Sequence, residues 1–543
     1  MSDQDRARAQ ARARAPYLDQ DDEPRPPLEV AFKVQLADSP EGAKNRIVVY
    51  DWFTRGEHRA PPRGGNLVDV LVDGEATWSR TADDIEDAKE EIQIATWICR
   101  PDSELRRPLE LALTEPKARR SLRLGAMLEH RARAGVKVRL LIWGLVYTPI
   151  IDRWMRRWYW RGQDNIDVLE QDHPSFIGSY HQKTLTIDRR VGYCGGMNLK
   201  ENDWDTIAHE VHEPRRFPHS AGTHERRPTA ARLRPPPFPP RHDLMVRIEG
   251  PAVADLVTNF ADRWGQSVKA RHASPWGRVV DWVRQRLGND DYPAVPLPQA
   301  VPEPVGSHWV QVVRTLPGAA ANKDGESGIL GAYKRAIRNA RRYIYIENQY
   351  FRSPVIGEEL RDVLAANPRL RLAVVVRPIN GGKPSLFDPS GYYTAKTLEL
   401  IREARPDFEL TVLYAWGRDA DDRIVWEEVD VHAKVMVVDD VWLTVGSANV
   451  NDRGFRTEGE INTVVLDKGL AKDLRKRLMA EHLELDPKDP RLDDVDQTFD
   501  LWEHHGRENP RRKESDEAPW SRVHHFVQEG PQFPPLFIGS GVF

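Results

Sequence analysis

His181 and Lys183 stand two residues apart with Asp188 close behind, and the same trio recurs as His432, Lys434 and Asp439. Each copy runs on through small residues to an asparagine, Gly195-Gly196-Met197-Asn198 in the first and Gly446-Ser447-Ala448-Asn449 in the second. All four polar positions are displaced by the same 432 − 181 = 251 residues. His-x-Lys alone is common by chance; a matched pair of four-point patterns is not. Two lysines, two asparagines and two histidines around one point form a cage of donors for a tetrahedral anion, and a phosphodiester is the obvious one. One histidine can attack phosphorus and hold the phosphoryl group covalently, dividing one displacement into two. The other, protonated, can donate to the leaving oxygen and then take a proton from the incoming nucleophile. The lysines neutralise the charge that a magnesium ion would otherwise meet, so neither a metal nor a cofactor is called for.

Each imidazole also needs a carboxylate to fix its tautomer. Glu460 is the candidate for His432, and Asp205, in Asp203-Trp204-Asp205, the candidate for His181. Side chains alternate along a strand, so His181 and Lys183 share a face, as do His432 and Lys434. Asp188 and Asp439 have the opposite parity or fall in the following turn, which gives them a structural role. Gly195, Gly196, Gly446 and Ser447 keep side-chain bulk away from the His/Lys face.

The surrounding pattern supplies elements to hold these residues. In the first half, helix is predicted over Thr81–Glu91, Leu122–Ala134 and Ile150–Trp160. Strands are predicted over Ile92–Cys99, Val136–Trp143, Ile166–Leu169, Lys183–Ile187 and Val191–Cys194. The second half repeats the order, with helices at Ile329–Arg341, Glu358–Ala366 and Thr394–Ala404. Its strands are Tyr343–Glu347, Leu370–Val376, Leu410–Tyr414, Val431–Val438 and Val441–Val445. Alternation of this kind implies an α/β sandwich in each of two homologous halves. The chain divides into a disordered N-terminus (1–27), a first lobe (28–291), a Pro-rich linker (292–304), a second lobe (305–484) and a C-terminal extension (485–543) with one helix at Arg491–His504. His209–Arg241 reads as a long polar loop, in which His209 and His212 resemble half of a metal site but are better read as exposed. Trp154–Arg161 is aromatic and basic; core packing of an amphipathic helix is the preferred reading over a lipid-facing patch.

Bulk properties narrow the classes. Charged residues make up 30 % of 543, yet the formal charge is only −4, so a nucleic-acid partner is not expected. Cys99 and Cys194 are too few for a disulfide framework and read as small buried hydrophobes. No apolar run reaches the roughly 18 residues of a membrane-crossing helix, and the Arg/Ala-rich start has no apolar signal core. A cytoplasmic or peripheral-membrane monomer is the expectation, export by a route that reads no such signal being compatible with it.

The duplicated pattern resembles the phospholipase D superfamily, whose signature is HxKxxxxD followed by GGxN or GSxN. Ile344–Phe351, Trp204-Asp205-Thr206, His242-Asp243 through Glu249-Gly250-Pro251, and Val445–Arg453 are similar to segments of the larger plant and fungal phospholipases D. The resemblance spans about Asp73 to Leu483. It implies two mixed α/β lobes related by a pseudo-twofold axis with one active site at their interface, His181 as nucleophile and His432 as general acid. Ahead of Asp73 there is no room for the C2 domain of plant members or the PX and PH domains of animal ones, and Tyr180 stands where a histidine often precedes the motif. The first functional expectation is hydrolysis of a glycerophospholipid at a membrane surface to phosphatidic acid and a head-group alcohol, with water or another alcohol as acceptor. A phosphatidyltransferase of cardiolipin-synthase type is the runner-up and a nuclease of the same superfamily the third reading.

Overall fold

A run of apolar residues can be buried on both faces only in a sheet covered on both sides, and such runs recur in the same order in each half of the chain. In the computed structural model, residues 52–529 are described apart from 55–59, 145–158, 161–162, 174–177, 227–235, 274–291, 319–324 and 380–388. The first lobe carries β1 (Arg63–Val72), α1 (Asp73–Asp87), β2 (Glu91–Thr96), α2 (Leu124–Arg133), β3 (Lys137–Trp143), β4 (Ile166–Gln171), β5 (Thr184–Ile187), β6 (Val191–Gly195), β7 (Leu244–Glu249) and α3 (Val253–Ala273). The second carries β8 (His308–Leu316), α4 (Gly328–Asn339), β9 (Tyr343–Asn348), α5 (Pro354–Ala366), β10 (Arg371–Val376), α6 (Pro389–Arg402), β11 (Leu410–Arg418), β12 (Lys434–Val438), β13 (Trp442–Gly446), β14 (Glu460–Leu466), α7 (Lys468–Leu483), α8 (Val495–Glu514) and β15 (Val523–Phe526).

The two sheets have one topology. In the first lobe the order is β1-β7-β6-β5-β2-β3-β4, antiparallel up to β2 and parallel from β2 through β4. In the second it is β8-β14-β13-β12-β9-β10-β11, with the same change of sense at β9 and with β15 added antiparallel at the edge. A short antiparallel pairing of Arg63 with Val310 and Asn66 with His308 joins their edges. This is a mixed α/β fold of two homologous sheets.

Helices cover the outer faces. Trp78 and Ile85 of α1 and Leu128 of α2 pack on Ile94 and Leu140; Ile337, Leu360 and Ile401 pack on Ile346 and Val374. The inner faces meet in a shared core, where Val70, Val246 and Ile248 join Val435, Val437, Leu443, Val445 and Ile461. The apolar residues at alternating positions of β12 divide between two cores, Val435 and Val437 inward, Met436 and Val438 outward. Cys99 and Cys194 are buried and free, packed as hydrophobes.

Several boundaries move. Helix α1 starts at Asp73, ahead of the predicted Thr81, because the small and polar Gly74 and Thr77 are buried beside Trp78 rather than exposed. Trp52 and Phe53, assigned by position to the first lobe, pack in the second lobe's outer core. Residues beyond 484, read as an extension, add α8 and the edge strand β15 to that lobe's sheet. The predicted disordered N-terminus and most of Ile150–Trp160 lie outside the described residues, although Trp160 is buried in the first lobe's outer core with Tyr159 against it.

Candidate active site

Each histidine lies just before its motif strand, His181 ahead of β5 and His432 ahead of β12, and each lysine sends its ammonium back over it. Lys183 Nζ donates to the His181 carbonyl and Lys434 Nζ to the His432 carbonyl, both at 2.5 Å. Pseudo-symmetry brings the imidazoles together with ring centres 6.4 Å apart and planes inclined by 67°. All four side chains are buried.

Asp188 and Asp439 lie in the turns that end β5 and β12, with φ of 50° and 55°. Asp188 accepts from the backbone N–H groups of Lys89, Glu90 and Glu91 at 2.7–2.9 Å. Asp439 does the same for Arg341, Arg342 and Tyr343 at 2.6–2.8 Å. Each thereby ties the motif hairpin to the start of the neighbouring central strand, β2 or β9, far from the imidazoles.

The orienting acids are crossed between lobes. His181 Nδ1 lies 3.0 Å from Glu460 Oε1 of the second lobe, and His432 Nδ1 lies 2.6 Å from Asp243 Oδ2 of the first. The expected assignments of Glu460 to His432 and of Asp205 to His181 are therefore both corrected. Asp205 instead contacts His209 Nδ1 at 2.9 Å, Arg216 at 3.0 Å and the Arg241 N–H at 2.8 Å. Asp243 and Glu460 are structural equivalents: Gly195 pairs with Met245 and Gly446 with Asn462, so each acid lies two residues before the paired position.

The glycine-rich turns make room for these acids. A Cβ on Gly196 would sit 2.1 Å from Asp243 Oδ1, so no larger residue fits without displacing the carboxylate. Ser447, at the matching position, donates its hydroxyl to Glu460 Oε2. Asn198 is held by Asp203, which accepts from its N–H at 2.7 Å and its amide at 3.2 Å. The Oδ1 atoms of Asn198 and Asn449 are buried without a hydrogen-bond partner among the described residues. Lys434 Nζ also donates to Gln349 Oε1 at 3.4 Å. Glu347 and Asn348 face elsewhere, Asn348 accepting from the N–H of Val450. Trp97, which no sequence pattern indicated, meets His181 edge-on at 5.5 Å and stacks on Trp143.

Burial governs the site's electrostatics. It holds both imidazoles well below their ordinary pKa, reinforced at each by the adjacent lysine. It lowers Lys183 to about 7 and Lys434 to about 8, and raises Asp243 and Glu460 to about 7. Four ionisable groups thus sit close to neutrality in a site where a bound anion would restore the ammonium charges. Burial works against the Asp203 carboxylate too, but Arg241 and Lys200 hold it below the usual range.

Two family descriptions match the chain, "Phospholipase D" over residues 160–359 and "Cardiolipin synthase, PLD-like domain" over 333–481. Phospholipase D A of Dictyostelium discoideum is 26% identical over 495 residues, 79% of this chain and 36% of that protein. Phospholipase D zeta 2 of Arabidopsis thaliana is 25% identical over 548 residues, 75% of this chain and 51% of that protein. The chain thus spans 36% and 51% of the length of these two relatives. Phosphatidylserine synthase of Haemophilus influenzae aligns structurally over 83% of this chain and 94% of its own, with a TM-score of 0.49 and 15% identity. With the paired motifs on matching strands of two like sheets, the chain belongs to the phospholipase D superfamily of phosphodiesterases and phosphatidyltransferases and carries two PLD-like domains.

Proposed function

We propose that the protein cleaves the distal phosphodiester of glycerophospholipids at a membrane surface, giving phosphatidic acid and a head-group alcohol. The observation that carries this reading is the pair of buried imidazoles, each backed through Nδ1 by a carboxylate and each beside a buried lysine. A carboxylate on Nδ1 fixes the proton there and leaves Nε2 free to act. His181 Nε2 attacks phosphorus and forms a phosphohistidine; His432, protonated on both nitrogens once the anionic phosphodiester is bound beside it, gives its Nε2 proton to the leaving alkoxide. His432, now neutral, takes a proton from water or an alcohol as it attacks, and the bond to His181 breaks. Lys183 and Lys434, with the amides of Asn198 and Asn449, neutralise the oxygens of the pentacoordinate transition state. Trp97 offers an aromatic wall beside the nucleophile.

A lipid alcohol as acceptor makes the same site a phosphatidyltransferase. The match of residues 333–481 to a cardiolipin-synthase-type domain favours keeping that second reading. Among the described residues no helix is long and apolar enough to cross a membrane, so the lipid would be met from the surface.

The test is head-group release from liposomes of several phospholipids, with and without a primary alcohol. Release by the wild type, its loss in His181→Ala, and diversion to a phosphatidyl alcohol support the reading. Full activity in His181→Ala, or cleavage of DNA but not lipid, refutes it.

A further inference from the structure

Behind the His432–Asp243 pair lies a second buried cluster that the phosphodiester chemistry does not use. Asp73, at the start of α1, His209, His242 and Glu481, in the last turn of α7, place one donor atom each within 4.8 Å of one another. His242 Nδ1 is 3.0 Å from Asp73 Oδ1 and 3.0 Å from Glu481 Oε1. His209 Nε2 is 3.0 Å from Glu481 Oε1 and 3.5 Å from Asp73 Oδ2. The side chains are 0–5% exposed. Asp73 Oδ2 and His242 Nδ1 make no hydrogen bond of proper geometry among the described residues. His209, expected in an exposed loop, is fully buried, and both it and Asp73 hold positive φ, 47° and 61°; strain of this kind persists only where the surroundings impose it.

We propose that Asp73, His209, His242 and Glu481 bind a divalent transition-metal ion, zinc in the first instance, that clasps the two lobes together. Tetrahedral zinc with nitrogen and oxygen ligands at about 2.0–2.2 Å separates its ligand atoms by about 3.4 Å, and the observed spacings are close to that. The outer contacts are those of a metal-ligating histidine, whose second nitrogen characteristically donates to a carboxylate. His209 Nδ1 meets Asp205 at 2.9 Å, and His242 Nε2 meets Glu347 at 2.7 Å. Glu347 is fixed in turn by Tyr345 Oη at 2.5 Å and His482 Nε2 at 2.9 Å. Two imidazole nitrogens and two carboxylate oxygens suit zinc better than calcium or magnesium, which prefer oxygen alone. A dication also compensates two carboxylates, Asp73 and Glu481, that no lysine or arginine contacts among the described residues. Three ligands come from the first lobe and Glu481 from the second. His242 is the chain neighbour of Asp243, so the ion would brace the acid that orients His432.

The same lone pairs are satisfied if His209 and His242 are both protonated, and metal analysis separates the cases. Full-length protein purified without chelators, incubated with Zn²⁺ and gel-filtered should retain about one zinc per chain. Co²⁺ in its place should give the intense visible bands of a tetrahedral site. Glu481→Gln combined with Asp73→Asn should abolish stoichiometric retention, Asp205→Asn should weaken zinc affinity by about 10- to 100-fold, and His181→Ala should retain the ion. Absence of stoichiometric zinc in the wild type, with no zinc-dependent shift in Tm, overturns the proposal even if the variants fail to fold. So does zinc that survives in the Glu481→Gln/Asp73→Asn protein or that is lost in His181→Ala.

Discussion

Replacing Glu460 with glutamine and Asp243 with asparagine separates the two halves of the proposed mechanism, because the acids are crossed. Glu460 is fully buried and holds His181 from the opposite lobe, with Ser447 donating to its other oxygen. Glutamine keeps the volume and removes the charge. A hydrogen bond between charged partners is worth about 1.5–3 kcal/mol, and each 1.4 kcal/mol is about tenfold in rate. Loss of that contact alone therefore slows attack on phosphorus by about 10- to 150-fold. If the new amide donates to Nδ1 and fixes the wrong tautomer, the loss rises toward the roughly 10⁴-fold seen when a triad carboxylate becomes an amide. Asp243→Asn should have a comparable effect on a natural lipid, acting through His432. The assay compares choline release with release of 4-nitrophenol from a phosphatidyl-4-nitrophenol, whose leaving group needs no proton. In a single turnover, Asp243→Asn and His432→Ala should regain most of their nitrophenol release, while Glu460→Gln and His181→Ala should not. The reverse pattern, with Glu460→Gln rescued and Asp243→Asn not, would refute the crossed assignment of roles.

Three further outcomes follow from the geometry. Asp439→Ala removes the acceptor of three backbone N–H groups, and should lower unfolding free energy by on the order of 3 kcal/mol, read as a fall in Tm. The pH dependence of kcat/KM should be a narrow bell, because protonation of Glu460 and Asp243 below about 7 removes the imidazoles' anionic partners, and loss of charge from Lys183 at about 7 and Lys434 at about 8 weakens anion capture above it. The alkaline limb of kcat should lie higher, since bound phosphodiester favours the charged lysines; coincident alkaline limbs would contradict this. Tungstate or vanadate should bind with net proton uptake at pH 7.5, seen as a buffer-dependent binding enthalpy, and Lys183→Met should diminish it.

Much of this was legible in the chain, for reasons that can be traced to particular residues. The constant displacement of the motif holds through Asn198 and Asn449, because β5 and β12 end at matching residues, β6 and β13 have the same five-residue span, and like turns join them. Apolar runs such as Leu372–Val376 and Leu140–Ile142 announced the central strands. The orienting acids were not legible by the same rule. From Asn198 to Asp243 the first lobe runs through the long segment containing His209 and Arg216, whereas Glu460 follows Asn449 closely, so the equivalent acids are displaced by 460 − 243 = 217 residues. Proximity along the chain pointed to Asp205, which burial and Arg216 divert to His209. The available signal was the matching start of β7 and β14, Asp243 and Glu460 each leading an apolar strand next to its motif hairpin. Which histidine an acid serves is a property of the pseudo-twofold axis, and nothing in either half alone specifies it.

That crossing has a mechanical consequence. Were each histidine oriented by its own lobe, a small rotation of one sheet against the other would alter the gap between the imidazoles but leave their tautomers intact. Here the same rotation stretches both Nδ1 contacts, so chemistry and lobe packing are coupled. The coupling runs through β6, β7, β13 and β14, whose inward residues Cys194, Val246, Ile248, Leu443, Val445 and Ile461 belong to the shared core. Interiors packed in this way resist displacement, and the acids inherit their precision from the core rather than from loops. The two ends are not equal. Glu460 is clamped by Ser447 and faces a His181 whose Nδ1 also lies 3.2 Å from the Ser447 carbonyl, whereas Asp243 is braced by the Leu244 N–H and by the space left at Gly196. A nucleophile must keep one orientation through formation and breakdown of a covalent bond, while a proton carrier has only to exchange a proton at each step. The more rigid environment stands around His181, the residue to which the covalent role is assigned.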